Sequence, residues 1–218
     1  MEEIQLIDKK IKKIPRQKIF SAESICGDFS IKAVKYVLSR LKKKNEIGVI
    51  SHDLYYRPGK SRFFPGQPIP PGAETIIEAV AKKTGEIISV HPAVALNQLG
   101  LSTQVPMRHI YYTTGRSRHI KVDGVKRVRL VHVNSKKIVM PNTVICHVTT
   151  ALWYEGKRYL KPRIVKKLHE RLKDKYFNEV LMHLDKMPGW MRKVFIRYQE
   201  MDANDPELQE DPDESWRG

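Results

Sequence analysis

Ser102, Thr103, His109 and His119 stand close together in the chain, and a hydroxyl beside an imidazole is the pairing that nucleophilic catalysis uses. Nothing around them develops it. No Gly-x-Ser-x-Gly elbow presents the serine, and both histidines flank apparent strands, where a hydrogen-bonded structural histidine is the common outcome. The eight histidines form neither a His-Glu-x-x-His pattern nor a Cys/His cluster at metal-ligand spacing. Gly85 and Gly100 stand alone rather than in a phosphate-cradling loop. Asp123 is nearly alone among the expected strands, whereas nucleotidyl transfer needs paired carboxylates to hold magnesium. Cys26 and Cys146 are too few for a disulfide or zinc framework. The expectation is a protein that is not an enzyme and has no metal and no cofactor.

The chemistry that the chain does carry is cationic. Its 218 residues hold 40 Lys/Arg against 24 Asp/Glu, a net charge of +16, which favours a polyanionic partner, nucleic acid first. Residues 1–63 hold 15 Lys/Arg against 7 Asp/Glu, and residues 200–218 hold one Arg against 8 acids. The tail, 201–218, therefore reads as acidic and disordered. The opening MEEIQLIDKK is charged throughout, and no apolar run reaches membrane-spanning length. A soluble cytoplasmic protein with no membrane partner is expected.

The elements that must position these charges can be read from spacing. Ile4, Ile7, Ile11 and Ile14 recur at helical intervals up to Pro15. Ser21 is an N-cap for a second, short helix ending at Gly27. Ser30 caps a third that runs to about Lys44, with Asn45 suited to the left-handed position beyond it. Ile47–Ile50 and Leu54–Arg57 then alternate like strands around the turn Ser51-His52-Asp53. Three helices followed by a hairpin is the order of a winged helix-turn-helix, expected over residues 1–60.

In that fold the third helix enters the DNA major groove. Ala33, Val34, Val37, Leu38 and Leu41 make its apolar stripe. Ser30, Lys32, Lys35, Tyr36 and Ser39 then fall toward bases and nearby phosphates, and Arg40, Lys42, Lys43, Arg57 and Lys60 toward the DNA backbone. Asp53 at the wing tip would repel phosphate.

Residues 61–71 lie in a Pro/Gly-rich linker, with Phe63 and Phe64 expected to pin it. A second, α+β domain is expected over 72–200, with a mixed or antiparallel sheet and C-terminal helices. Helices are predicted at Ala73–Lys83 and Pro92–Leu99. Strands are predicted at Arg108–Thr113, His119–Val122, Lys126–His132, Val139 and Val144–Val148. One helical run follows from Arg163 through Leu184, and another after Pro188-Gly189. Arg108, Arg116, Arg118, Lys121, Lys126 and Arg127 mark a second basic surface, for an anion or for antagonising a toxin.

The segments KKIPRQKIFSAESI, LSRLKKKNEI, DLYYRP and SRFFPG, followed by ALNQLGLSTQVPMRHIYYTTGRSRHIKV, resemble the AbiEi-like antitoxin family across about Ile4 to Lys173. The resemblance implies an N-terminal winged helix-turn-helix joined to an α+β antitoxin domain. It also implies a place in a type IV toxin–antitoxin pair, opposite a nucleotidyltransferase-like toxin, with repression of its own operon through double-stranded promoter DNA. Inverted repeats there would take two copies of the chain. Two other readings stay open: a transcription regulator of unrelated biology, and an RNA-binding protein using the basic second domain.

Overall fold

A computed structural model of the protein describes residues 2–50, 53–63 and 66–209. In chain order the elements are α1 (Glu2–Lys13), β1 (Ile19–Ser21), α2 (Ala22–Cys26), α3 (Ile31–Lys43), β2 (Gly48–Ile50), β3 (Leu54–Tyr56), β4 (Gly59–Lys60), β5 (Pro68–Ile69) and α4 (Ala73–Thr84). They continue as β6 (Ile88–Val90), α5 (Pro92–Gln98), β7 (His109–Thr113), β8 (Arg118–Val122), β9 (Val125–His132), α6 (Val144–Glu155), α7 (Pro162–Arg171), α8 (Asp174–Met182) and α9 (Gly189–Glu200). The class is α+β, with helices at both ends of the chain and the strands of a mixed sheet between. Among the described residues no helix is long and apolar enough to cross a membrane.

The chain divides into two compact units. The first comprises residues 1–86 and 117–130, the second 87–116 and 131–218. The division does not fall at the expected 61–71 linker. Within that stretch Gly59 pairs with Ile69 and Lys60 with Pro68, so the Pro/Gly-rich segment folds back on itself as a hairpin. Phe63 pins nothing: it is 88% exposed. Phe64, like Ser51 and His52 of the expected wing turn, lies outside the described residues.

In the first unit α1, α2 and α3 bury Ile7, Ile11, Ile25, Val34, Val37, Leu38 and Leu41 in one core with Phe20 of β1. The strand order is β1-β3-β2-β8-β9. Tyr56 is in register with Ile19 and with Gly48, Ile50 with Leu54, and Ile50 again with Val122. The β8–β9 hairpin thus extends the β2–β3 hairpin although some seventy residues separate them. One sheet face carries the buried Ile50, Leu54, Tyr56, Ile120, Val122, Val128 and Leu130. On the other, Phe20 and Tyr55 pack onto the helical core.

In the second unit β6 and β7 pair antiparallel, Ile88 with Thr113 and Val90 with Tyr111. Its core joins Leu96, Leu99 and Leu101 to Ile145, Val148, Leu152, Ile164, Leu168, Phe177, Val180, Met191 and Phe195. Residues 144–148 are the first turns of α6, not a strand. That helix buries Ile145, Cys146, Val148, Thr149, Thr150, Ala151 and Leu152. An element buried nearly all round has no amphipathic period, and its β-branched residues imitate a strand. Val139 is in no strand either. The run from Arg163 to Leu184 is two helices, because extended backbone at Leu172 and Lys173 separates α7 from α8.

The tail departs from expectation as well. Residues 206–208 form a 3-10 turn capped by Asp205, with Leu208 buried against α7 and Arg197 ion-paired to Glu207. Residues 210–218 of the expected acidic tail lie outside the described residues.

Candidate nucleic-acid interface

The helix pair α2–α3 is held in place by short-range chemistry. The Ser24 amide donates to Ser21 Oγ and the Ser21 amide to Ser24 Oγ, both at 3.2 Å. This reciprocal box satisfies two amides around the helix start. The turn follows at Gly27, φ +49°. Ser30 then closes it twice: its Oγ accepts the Ala33 amide hydrogen, and its own amide donates to Glu3 Oε1, each at 3.1 Å. Lys10 Nζ donates to the Ile25 carbonyl at 2.8 Å, so α1 grips the end of α2.

At the far end of α3, Asn45 adopts φ +57°. Its amide reaches the Lys42 carbonyl at 2.9 Å and the Glu46 amide the Leu41 carbonyl at 3.0 Å. These are the two bonds of a Schellman stop, and they turn the chain into β2.

Between those caps α3 shows two faces. Val34, Val37, Leu38 and Leu41 are buried, while Lys32, Lys35, Tyr36, Ser39, Lys42 and Lys43 are exposed. Tyr36 is 60% exposed, a large aromatic ring on a face otherwise made of lysines and a serine. Such a face offers cations to phosphates and a flat polar-tipped ring to bases.

Two arginines expected to meet DNA are engaged elsewhere. Arg40 Nη2 lies 3.1 Å from Asp8 Oδ1 of α1, and Lys12 Nζ is 2.9 Å from the other oxygen. Burial opposes the Asp8 charge, but the hydrogen bonds and charges of Lys12 and Arg40 prevail and hold its carboxyl below the ordinary value. Arg57 donates to the Lys12 and Ile14 carbonyls, closing the C-terminal end of α1, and Arg16 ties the same loop to the Pro58 carbonyl at 2.8 Å. Lys60 is exposed on β4.

The second basic set falls in both units. Arg108 and Arg116 are exposed in the second. In the first, Arg118 is ion-paired with Glu86 at 2.9 Å, Lys121 and Arg127 are exposed, and Lys126 is the register partner of Lys121. Arg129, which the sequence reading passed over, is exposed beside them. The alternation Arg127-Val128-Arg129-Leu130 holds the signal, since every second residue of a half-buried strand faces out.

Asp123 has a structural post. Its Oδ2 accepts the Tyr56 hydroxyl hydrogen at 2.6 Å, and its Oδ1 the Val49 amide hydrogen at 2.7 Å. Ser102 Oγ accepts the Gln104 amide hydrogen at 3.2 Å, while His109 is exposed at the start of β7 and His119 on β8. Cys146 is buried 3.0 Å from Ser89 Oγ, and burial pushes its thiol up. Such a thiol is a poor nucleophile. No group of three or more His, Cys, Asp and Glu among the described residues is arranged to hold a metal.

The model of a family of unknown function, DUF6088, matches residues 6–180. No curated protein and no solved structure matches the chain.

Proposed function

We propose, for a chain that belongs to the DUF6088 family over most of its length, the role of a DNA-binding antitoxin that represses its own promoter. The observation that carries the reading is the exposed Lys32-Lys35-Tyr36-Ser39 stripe on the second helix of a capped helix pair. The order helix, strand, helix, helix, strand, strand supports it, with β1 paired to β3 and β3 to β2. That order is the one a winged helix-turn-helix reading expects, and in such a fold the second paired helix lies in the major groove.

On this reading Lys32, Lys35, Tyr36 and Ser39 meet base edges and phosphates, and Lys42, Lys43 and Lys60 meet the backbone. Ser30 sets the start of the helix. Arg40 and Arg57 hold the module's shape instead of touching DNA. The resemblance to AbiEi-like antitoxins supplies the other half of the role: residues 72–200 counteract a nucleotidyltransferase-like toxin. Two copies would read an inverted repeat. The chain then acts by binding, without a reaction of its own.

The test is a mobility shift with the duplex upstream of the protein's own gene, against a scrambled duplex at near-physiological salt. Specific retardation is expected. Equal, salt-sensitive retardation of both duplexes overturns the repressor role. Growth rescue of cells expressing the neighbouring toxin gene checks the antitoxin half separately.

A further inference from the structure

The β8–β9 hairpin belongs, as far as Leu130, to the same unit as α3, and it is strongly cationic. Its thirteen strand residues include five Lys/Arg and no Asp or Glu. Arg118 points to the buried side: it is in register with the buried Leu130 and is ion-paired with Glu86. His119 and Arg129 face each other across the strands.

The register fixes which way the row faces. Ile50 pairs with Val122 and Leu54 with Ile50, so Val122, Ile120, Val128 and Leu130 share the buried face. His119, Lys121 and Arg129 therefore share the opposite face, the one on which Phe20 and Tyr55 pack against α1–α3. A bulge adds to it. Ile120 pairs with Val128 but Lys121 with Lys126, which leaves Arg127 as the extra residue. Bulges re-aim a side chain and sharpen the local twist, and Arg127 is exposed.

We infer that this ribbon, through Lys121, Arg127 and Arg129, is a second phosphate-binding surface that lengthens the duplex footprint begun by α3. The occupant is the sugar–phosphate backbone of double-stranded DNA, because the row is made of cations beside one imidazole, His119, and belongs to the same unit as the α3 face that the duplex would meet. The inference rests on the DNA reading above. It adds that the DNA-binding part is not confined to residues 1–60 but includes a hairpin from much later in the chain.

The experiment is a salt titration of full-length protein on its upstream duplex. It compares the wild type, the Arg127→Ala/Arg129→Ala double variant, Lys121→Ala, and the charge-keeping Arg127→Lys/Arg129→Lys variant. The double variant should bind more weakly, with the slope of log K against log salt shallower by about 2, one phosphate per arginine. Lys121→Ala should remove about one more unit, and the lysine variant should keep the wild-type slope. Preference for the specific over the scrambled duplex should survive in all of them. Unchanged slopes in a wild type that binds specifically overturn the ribbon surface and leave the α3 reading standing. A wild type without duplex binding overturns both. A double variant that keeps duplex affinity but loses structured RNA makes the ribbon an RNA surface and overturns the inference.

Discussion

Tyr56 Oη donates to Asp123 Oδ2 at 2.6 Å, while the other oxygen of the same carboxylate accepts the Val49 amide hydrogen. One side chain thereby binds both strands of the β2–β3 hairpin to the turn of a hairpin far along the chain. Asp123 adopts φ +48° to do so, a region that a short polar side chain tolerates better than most.

Burial, the hydrogen bond to Asp123 and its negative charge raise the Tyr56 phenol well above its ordinary value near 10. The folded state keeps a proton that the unfolded chain releases. Stability from this group is therefore complete below about pH 10 and is lost as pH rises toward the folded value. Tyr56→Phe should cost about 1.5–3 kcal/mol at neutral pH, the worth of a hydrogen bond to a charged group. Urea unfolding from pH 7 to 11 should show the gap to wild type closing above pH 10. A gap that stays constant would mean that the hydroxyl is no buried donor.

Gly48 lies beneath that ring. A methyl group there would overlap Tyr56 Cε1, Cζ and Oη, so Gly48→Ala must push the phenol off Asp123. A loss of about 1–3 kcal/mol is expected from overpacking, read as a lowered urea midpoint. Because ring carbons make the overlap, the penalty should persist in a Tyr56→Phe background.

The proposed α3 interface divides into cations assigned to DNA and one, Arg40, that is tied to Asp8. Lys35→Ala should make the salt slope shallower by about 0.9, and Tyr36→Ala should change preference among operator variants by about 1–3 kcal/mol at one position. Arg40→Ala should leave the slope near wild type and lower stability by at most about 1 kcal/mol, since the pair is partly solvated. Asp8 is held low, so that contribution is present above the ordinary carboxylate value and is lost as pH falls through the folded one. Titrations of the three variants beside acid unfolding curves check all of this.

Leu208 tests the tail. It is 6% exposed and joins Phe177, His169 and Tyr198 around one groove. There the His169 ring stacks on Phe177 with centroids 4.0 Å apart and accepts or donates a bond with the Tyr198 hydroxyl at 2.8 Å. Leu208→Ala should cost about 2–3 kcal/mol. Denaturation indistinguishable from wild type would show that residues 202–209 do not brace the helices.

The legible parts were those set by neighbours in sequence. The isoleucine spacing of α1, the serine caps of α2 and α3, and the Asn45 stop all arise within one or two helical turns. The proline-led α5 and α7 and the Gly85 and Gly100 ends belong with them. What escaped depended on distance. β1 is three residues long and exists because Tyr56 and Leu54 pair with it. Arg40 and Arg57 looked like DNA contacts because their acceptors, Asp8 and the carbonyls of Lys12 and Ile14, sit more than thirty residues away. α6 lost its periodicity to burial. Asp123 seemed idle for the same reason that Arg40 seemed free, since its partners are 67 and 74 residues upstream.

That last separation has a consequence in time. During synthesis the β2 edge emerges with no neighbour, and Val49 must wait 74 residues for Asp123. At translation speeds of 5–20 residues per second the delay is about 4–15 s, far longer than the microseconds in which a hairpin forms. Until then the nascent chain carries an open strand edge above a ready-made helical core. A ribosome stalled before Val122 would hold out an N-terminal part with its helices in order and its sheet unfinished.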